Sequence, residues 1–340
     1  MIELDKEYSQ LIDQIGLLLE SGRRQAAQAV NSVLVNTYWL VGSHIMEFEQ
    51  NGKGRAEYGQ FLLERLSRDL TLKFGKGFSR SNLIYMRKLY LHFPKRETLS
   101  NVLSWSHYFE ILKLDEPLEI DFYVRQTELE LWSVRELKRQ MNSMLFHRIL
   151  KGKSKEAIIT MAKEGQEIQV PKDILKDPFV LEFLEISEHT HFLESELEER
   201  IISNLQHFLL ELGKGFTFEK RQYRVSLAGK HFFVDLVFYH RILKCFVLID
   251  LKRGEVSHED VGQMNMYLNY FRREVNSETD NEPIGIVLGA YKNEVLVEYA
   301  LENIGNQLFV SKYQLYLPDK RELVNELNRL MNKYDENKDE

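Results

Sequence analysis

Residues 234–255, VDLVFYHRILKCFVLIDLKRGE, read as two apolar strands joined by a short loop, yet Asp235 lies on the first strand and Asp250 and Lys252 on the second. Charges inside a buried strand cost free energy unless something compensates them. Side chains alternate faces along a strand, so Asp250 and Lys252 point the same way. If His240–Leu243 form a loop of two or four residues, Asp235 faces an even-numbered position and joins them on that face. Two neighbouring carboxylates repel and drive one pKa upward. A divalent cation removes the conflict, and Mg²⁺ accepts carboxylate and carbonyl oxygens while keeping several waters. Such an ion can bridge a phosphate and acidify a bound water. A nearby lysine can orient that water or stabilise the extra charge of a pentavalent phosphoryl centre. The plain alternative is a solvated Lys–Asp pair at a sheet edge, against which the apolar run FVLIDLK speaks for a central strand.

The helix expected next, SHEDVGQMNMYLNYF, opens with Ser257 and Asp260 at the spacing of a capping box. Val261, Met264, Leu268 and Phe271 form its core stripe. Gln263 and Tyr267, four residues apart, form a second stripe: either an amphipathic shoulder or two polar tips aimed at the charged strands. Around this centre the pattern predicts strands over 216–225, 231–239 and 244–252, preceded by a helix over 194–212 that stops at Gly213. A helix over 259–273, the strand IGIVLGA, a helix near 295–303, the strand LFVSKYQLYL and a final helix follow. KDPFVLEFL reads as a helix start, with Asp177 as N-cap and Pro178 at the first helical position. This is an α/β domain with a helix ahead of three meandering strands and then a crossover.

Up to about residue 150 the period is helical throughout, with helices expected over 6–19, 25–50, 60–74, 80–92, 105–114, 117–129 and 134–150. The polar stretch 151–171 marks a boundary, giving a helical domain over 1–160 and the α/β domain over 172–340. A chain of 340 residues is expected to build two cores. Its lone Cys245 excludes an internal disulfide framework and a Cys-based zinc cluster, and fits a reducing cytoplasm. The opening MIELDKEYSQ lacks the apolar core of a signal peptide, and no apolar run approaches the roughly 18 residues of a membrane span. GKGF occurs at Gly75 and Gly213, each just past a helix, so both read as caps rather than phosphate cradles. Without a Walker A loop, any translocating motor would have to come from a partner protein.

The net charge of −7 speaks against a nucleic-acid partner, but its distribution does not. Residues 51–96 hold eleven Lys and Arg against three Asp and Glu, and 131–155 hold seven against one. Local fields, not totals, meet a phosphate backbone. Within the first stretch FLLERLSRDLTLKFGKGFSRSNLIYMRKLYLHF reads as a helix-turn-helix. Leu83, Met86, Tyr90 and Phe93 are spaced for its core, leaving Arg80, Ser81, Tyr85, Arg87 and Lys88 to face DNA. A basic surface helix of a bundle is the alternative.

Asp235, Asp250-Leu251-Lys252 and Gln263-x-x-x-Tyr267 resemble the motif set of PD-(D/E)xK nucleases of the RecB type. The whole chain resembles the YhcG family of that superfamily. NLQHFLLELGKGFTFEKRQYRV, VDLVFYHRILKCFVLIDLK and VGQMNMYL carry the likeness in the nuclease domain. NTYWLVGSHI, RAEYGQFLLERLSRDL, FGKGFSRSNLIYMRKLY and LSWSHYFEILKL carry it in the N-terminal domain. One departure is Asp250 where most relatives have Glu; the superfamily accepts either carboxylate.

The resemblance implies a restriction-endonuclease-like α/β fold with a mixed central sheet behind an all-α N-terminal domain. It implies Mg²⁺ (or Mn²⁺) held by Asp235, Asp250 and the Leu251 carbonyl, with Lys252 positioning water and Gln263 and Tyr267 fixing the geometry. It also implies a further acid on the preceding helix. Of Glu194, Glu196, Glu198, Glu199 and Glu211, Glu198 flanks the buried stripe Leu197, Ile201, Leu205, Phe208, Leu212 and is chosen, with Glu199 next. Arg221, Gln222 and Tyr223 are expected to reach the same cleft and the DNA backbone. The protein expected is a metal-dependent deoxyribonuclease, an endonuclease to which the helical domain delivers DNA. One site cuts one strand, so a double-strand break calls for a homodimer or two nicks. The competing readings are a DNA-binding or regulatory module with an inactive nuclease fold, and a structure-specific or RNA-directed nuclease.

Overall fold

A computed structural model of the chain describes residues 2–50, 56–150, 153–186, 192–291 and 307–317. The chain forms two compact units, Met1–Arg139 with Ala162–Gly165, and Gln140–Met161 with Gln166–Glu340.

The first unit is helical. α1 (Ile2–Gln50), α2 (Ala56–Phe74) and α3 (Arg80–His92) are followed by α4 (Trp105–Ile111), α5 (Pro117–Glu130) and α6 (Val134–Asn142). Ile45, Leu63, Leu83 and Met86 interlock as one buried cluster. The expected helices over 6–19 and 25–50 are a single helix. Gly22 interrupts the apolar period but costs a helix only about 1 kcal/mol, and no proline follows to break it. The expected helix over 134–150 is two, because Met144 adopts a left-handed φ of 54° between α6 and α7 (Leu145–Leu150). His107 caps α4: its Nδ1 accepts from the Ser104 N–H at 3.1 Å, and Nε2 lies 3.1 Å from the Trp132 carbonyl. The polar stretch after residue 151 contains α8 (Lys155–Glu164).

The second unit is built on a six-stranded mixed sheet. Its strands are β1 (Phe179–Val180), β2 (Phe216–Leu227), β3 (Lys230–His240), β4 (Cys245–Glu255), β5 (Ile284–Tyr291) and β6 (Leu308–Gln314). They lie in the order β1-β6-β5-β4-β3-β2, antiparallel from β2 to β4 and parallel from β4 through β6 to β1. One face of the sheet buries Leu197, Ile201, Phe208 and Leu212 from α9 (Glu194–Ser203) and α10 (Leu205–Leu212). The other buries Val261, Met264, Tyr267 and Leu268 from α11 (His258–Tyr270). Gly215 turns the chain into β2 with φ of 102°, and an added Cβ would meet the His240 ring at 2.7 Å. The predicted helices near 295–303 and at the C-terminus lie outside the described residues.

Two expectations are corrected here. KDPFVLEFL does not begin a helix: Phe179 and Val180 pair parallel with Tyr313 and Gln314, and only Glu182–Leu184 make a short 3-10 turn. Phe179, Val180 and Leu181 are wholly buried, and a short apolar run behind a proline fits an added strand as well as a helix. The helix over 194–212 is broken at Asn204, which serves both as C-cap of α9 and N-cap of α10.

α7 packs within the second unit through a charge. Arg148 and Glu211 are wholly buried and paired, with Nη1 2.6 Å from Oε1. The guanidinium also donates to the carbonyls of Ser143 (2.7 Å) and Pro178 (2.9 Å) and to the Ser143 hydroxyl (2.9 Å). Glu211 Oε1 accepts the Val180 N–H at 3.0 Å, and Lys176 Nζ donates to the Glu211 carbonyl. Among the described residues, no helix is long and apolar enough to cross a membrane.

Candidate active site

β3 and β4 are joined by the four residues 241–244, an even number, and run in register Leu236↔Ile249 and Val237↔Leu248. The pairing ends at Leu236↔Ile249, and beyond it Asp235 reaches β4 through its side chain. β3 also twists there: Val234 packs into the core under α11, whereas Leu236 packs into the core under α9 and α10. Residues two apart share a face in a regular strand, so the backbone must turn at Asp235. Across the β2–β3 ladder, Arg221↔Leu236 and Tyr223↔Val234 bracket Gln222 against Asp235, and Gln222 takes a left-handed φ of 47°.

Asp235 is half-buried; its Oδ2 accepts the Leu251 N–H at 2.8 Å and its Oδ1 accepts the Gln222 amide at 3.1 Å. The same amide nitrogen donates to Glu198 Oε2 at 2.6 Å. Glu198 is buried on α9, with Arg221 Nε 3.5 Å from its Oε1, while Glu199 points to solvent. Asp250 is 3 % exposed. Lys252 Nζ lies 2.9 Å from Asp250 Oδ2, a close ion-pair contact whose angle leaves that oxygen without an aligned hydrogen bond. Lys252 also approaches Asp260 Oδ1 at 3.6 Å. Tyr267 is buried and donates its hydroxyl to the Phe233 carbonyl at 2.9 Å, tying α11 to β3 just before Asp235. Gln263, one turn earlier, is half-buried.

Two acids not assigned to the site from sequence are also there. Glu194, at the start of α9, accepts the Arg253 N–H at 3.1 Å and adds negative charge near Asp235 and Lys252. Asp260 closes the capping box on Ser257 at 2.8 Å and supplies the second carboxylate beside Lys252. Its signal in the sequence was an aspartate where a capping box usually has Glu.

The electrostatics follow from burial. Desolvation, then the charge of Asp235, pushes Asp250 up to about 7, with Lys252 opposing both. Burial raises Asp235 against the pull of the Leu251 N–H, Lys252 and Gln222, and raises Glu198 against the Gln222 hydrogen bond. For Lys252 desolvation acts downward, yet Asp250, Glu194 and Asp260 outweigh it and hold the ammonium protonated.

A stability signature follows. In its folded-state range Asp250 keeps a proton that the unfolded chain releases near pH 4, so its contribution to stability falls as pH rises from about 4 to about 7 and is flat above. His107 and His240, both lowered by burial, act in the opposite sense as pH falls below about 6.5. The quantity to measure is therefore the difference between the chelator-treated protein and its Asp250→Asn variant. That difference should decline through the pH 4–7 window, and a difference independent of pH would contradict the buried carboxylate.

Among the described residues no three His, Cys, Asp or Glu side chains converge as a ready-made metal cage. The residues fit a hard ion of another kind, one held by one or two carboxylates and completed by water and phosphate. Asp250 Oδ2 and Glu198 Oε1 are buried oxygens without hydrogen-bond donors aligned on them, and Asp235 and the Leu251 carbonyl stand on the adjoining strands.

On the helical unit, Ser81 is exposed and Arg80 pairs loosely with Glu64 at 3.8 Å. Arg87 is held by Glu49 at 2.9 Å, and Lys88 donates to the Leu112 carbonyl at 3.1 Å. The Tyr85 ring packs edge-on against Phe109 at 4.5 Å. Leu83, Met86 and Phe93 are buried and Tyr90 is half-buried.

Residues 172–328 match the YhcG PDDEXK nuclease domain, and residues 14–148 match the DUF1016 N-terminal domain. The chain is 37% identical over 354 residues to a protein of Escherichia coli (strain K12) described as "Putative nuclease YhcG", covering 95% of this chain and 94% of that protein. Solved structures with partial likeness include a repair endonuclease from Pyrococcus abyssi, at 23% identity and a TM-score of 0.28 over 39% of this chain and 50% of that one. Another is an EndoMS–dsDNA complex, at 20% identity and 0.27 over 40% and 51%. With its helical N-terminal region and its mixed-sheet nuclease domain, the chain belongs to the YhcG family of PDDEXK nucleases.

Proposed function

We propose that the protein is a Mg²⁺- or Mn²⁺-dependent DNA endonuclease that hydrolyses phosphodiester bonds at Asp235, Asp250 and Lys252. One observation carries the reading: Asp250, almost wholly buried, has Lys252 2.9 Å away, and Asp235 on the adjoining strand accepts the N–H of the next residue, Leu251. A bound divalent ion would supply a Lewis acid for the scissile phosphate and an acidified water. Asp235, Asp250 and the Leu251 carbonyl would hold it, with Glu198 beside them. Lys252 stays charged among its carboxylates and can present an N–H to the attacking water or to the extra negative charge at phosphorus. Tyr267 keeps β3 in place through the Phe233 carbonyl. Gln263 and Arg221 would face the scissile strand and its backbone.

The helical unit would bring DNA through the start of α3, at Arg80 and Ser81, with Arg87 and Lys88 joining once phosphate competes for them with Glu49 and Leu112. The test is cleavage of supercoiled plasmid, branched DNA, single-stranded DNA and RNA, in Mg²⁺, Mn²⁺ or EDTA. Ion-dependent cutting of a DNA substrate is expected. Binding to DNA without cleavage of any substrate would sink the reading and leave a DNA-binding module on a nuclease fold.

A further inference from the structure

Gln222 touches two carboxylates of this site that stand on different elements, Glu198 on α9 and Asp235 on β3. Its single amide nitrogen reaches Glu198 Oε2 at 2.6 Å and Asp235 Oδ1 at 3.1 Å. An amide that spans two carboxylates in this way neutralises nothing, but it satisfies both with one group that is positive at its hydrogens. A hard cation placed between the same oxygens would repel those hydrogens and attract the amide oxygen instead. Amide nitrogen and oxygen are nearly identical in shape, so a half-turn about the last side-chain bond exchanges one for the other.

The backbone points the same way. Gln222 holds a left-handed φ of 47° directly across from the twist at Asp235, where glycine would be at no steric disadvantage. A non-glycine residue in that region is strained and persists where its surroundings fix it. What the side chain adds over glycine at this position is the amide.

We infer that Gln222 is a positioning residue of the cation site, whose amide holds Glu198 and Asp235 together through its N–H₂ when the ion is absent and turns its oxygen inward when the ion binds. The inference rests on the metal-site reading proposed above and adds a residue to it. The amide keeps the two acids close enough to receive an ion, so the ion meets a preassembled site.

The test pairs two substitutions in the full-length protein and reads Mn²⁺ affinity by titration calorimetry beside the thermal midpoint in EDTA. Gln222→Gly relieves the backbone and removes the arm; its midpoint should hold or rise while Mn²⁺ affinity falls about 10- to 100-fold, the range seen when a group that orients metal ligands is lost. Gln222→Glu keeps an oxygen but adds a charge; its midpoint in EDTA should fall while Mn²⁺ binds at least as tightly as to the wild type. A purely structural residue would move midpoint and affinity together in both variants, and that outcome overturns the inference. Wild-type affinity in Gln222→Gly overturns it too, leaving the metal site standing. If the wild type binds no Mn²⁺, or if Asp250→Asn binds it equally well, the metal-site reading itself falls and the inference with it.

Discussion

Asp250→Asn should leave a folded protein whose cleavage rate is lower by on the order of 10³-fold or more, the scale on which removal of a central catalytic group is felt. The variant is nearly isosteric, and it removes a carboxylate that burial and Asp235 already push up to about 7. In EDTA at pH 8 its thermal midpoint should therefore equal or exceed that of the wild type, because a buried, mutually repelling charge has gone. Mn²⁺ should no longer raise that midpoint, since ligand-linked stabilisation needs the ligand site. Lys252→Met separates binding from chemistry. It should retain Mn²⁺ and lose about 10²- to 10³-fold in rate, the usual cost of one donor aimed at developing charge. If either variant cuts DNA at the wild-type rate, the assignment of these two residues is wrong.

Arg148→Met should destabilise the second unit by about 3–5 kcal/mol, because it strips the guanidinium from a carboxylate that is itself wholly buried. Two built-in probes can localise the damage. Trp39, Trp105 and Trp132 all lie in the first unit, and the single cysteine, Cys245, is buried on β4 of the second. Labelling of the Cys245 thiol should accelerate by on the order of 10²-fold to several times 10³-fold in the variant, since each 1.4 kcal/mol is a factor of ten in the open population. The tryptophan fluorescence transition should stay where it was. Arg148→Met combined with Glu211→Gln should recover most of the loss, because the amide still accepts from Val180 N–H and no longer needs a cation. Unchanged Cys245 labelling in the single variant would show that the pair contributes little.

What could be read from the sequence follows the reach of short-range rules. The hairpin itself needed only alternation and an even loop, and the four residues 241–244 provide one, whereas the turn of β3 at Asp235 follows no alternation rule. The buried stripe of α11 needed only helical spacing, and Val261, Met264 and Leu268 are buried, as is Phe271 one residue past its end. Segment 177–184 misled because Asp-Pro ahead of an apolar run satisfies a helix N-terminus and an edge strand equally. The strand was decided by pairing with β6, more than 130 residues away. Gln222 gave no sign of its left-handed backbone, since the usual marker is glycine and the conformation is imposed by the neighbouring strand. Arg148 looked like one more cation in a basic stretch; only the fold shows that its partner is Glu211, 63 residues on.

That pair has an evolutionary corollary. Arg148 is the last residue of the segment matching the DUF1016 N-terminal domain, and Glu211 lies inside the segment matching the nuclease domain. A recombination event that exchanged one segment for that of a distant relative would inherit half of a buried ion pair. Either both residues travel together or both are replaced, so the junction between the two segments is a poor place for gene fusion. The halves of this chain are expected to share one ancestry, and residues 148 and 211 to change in step across it.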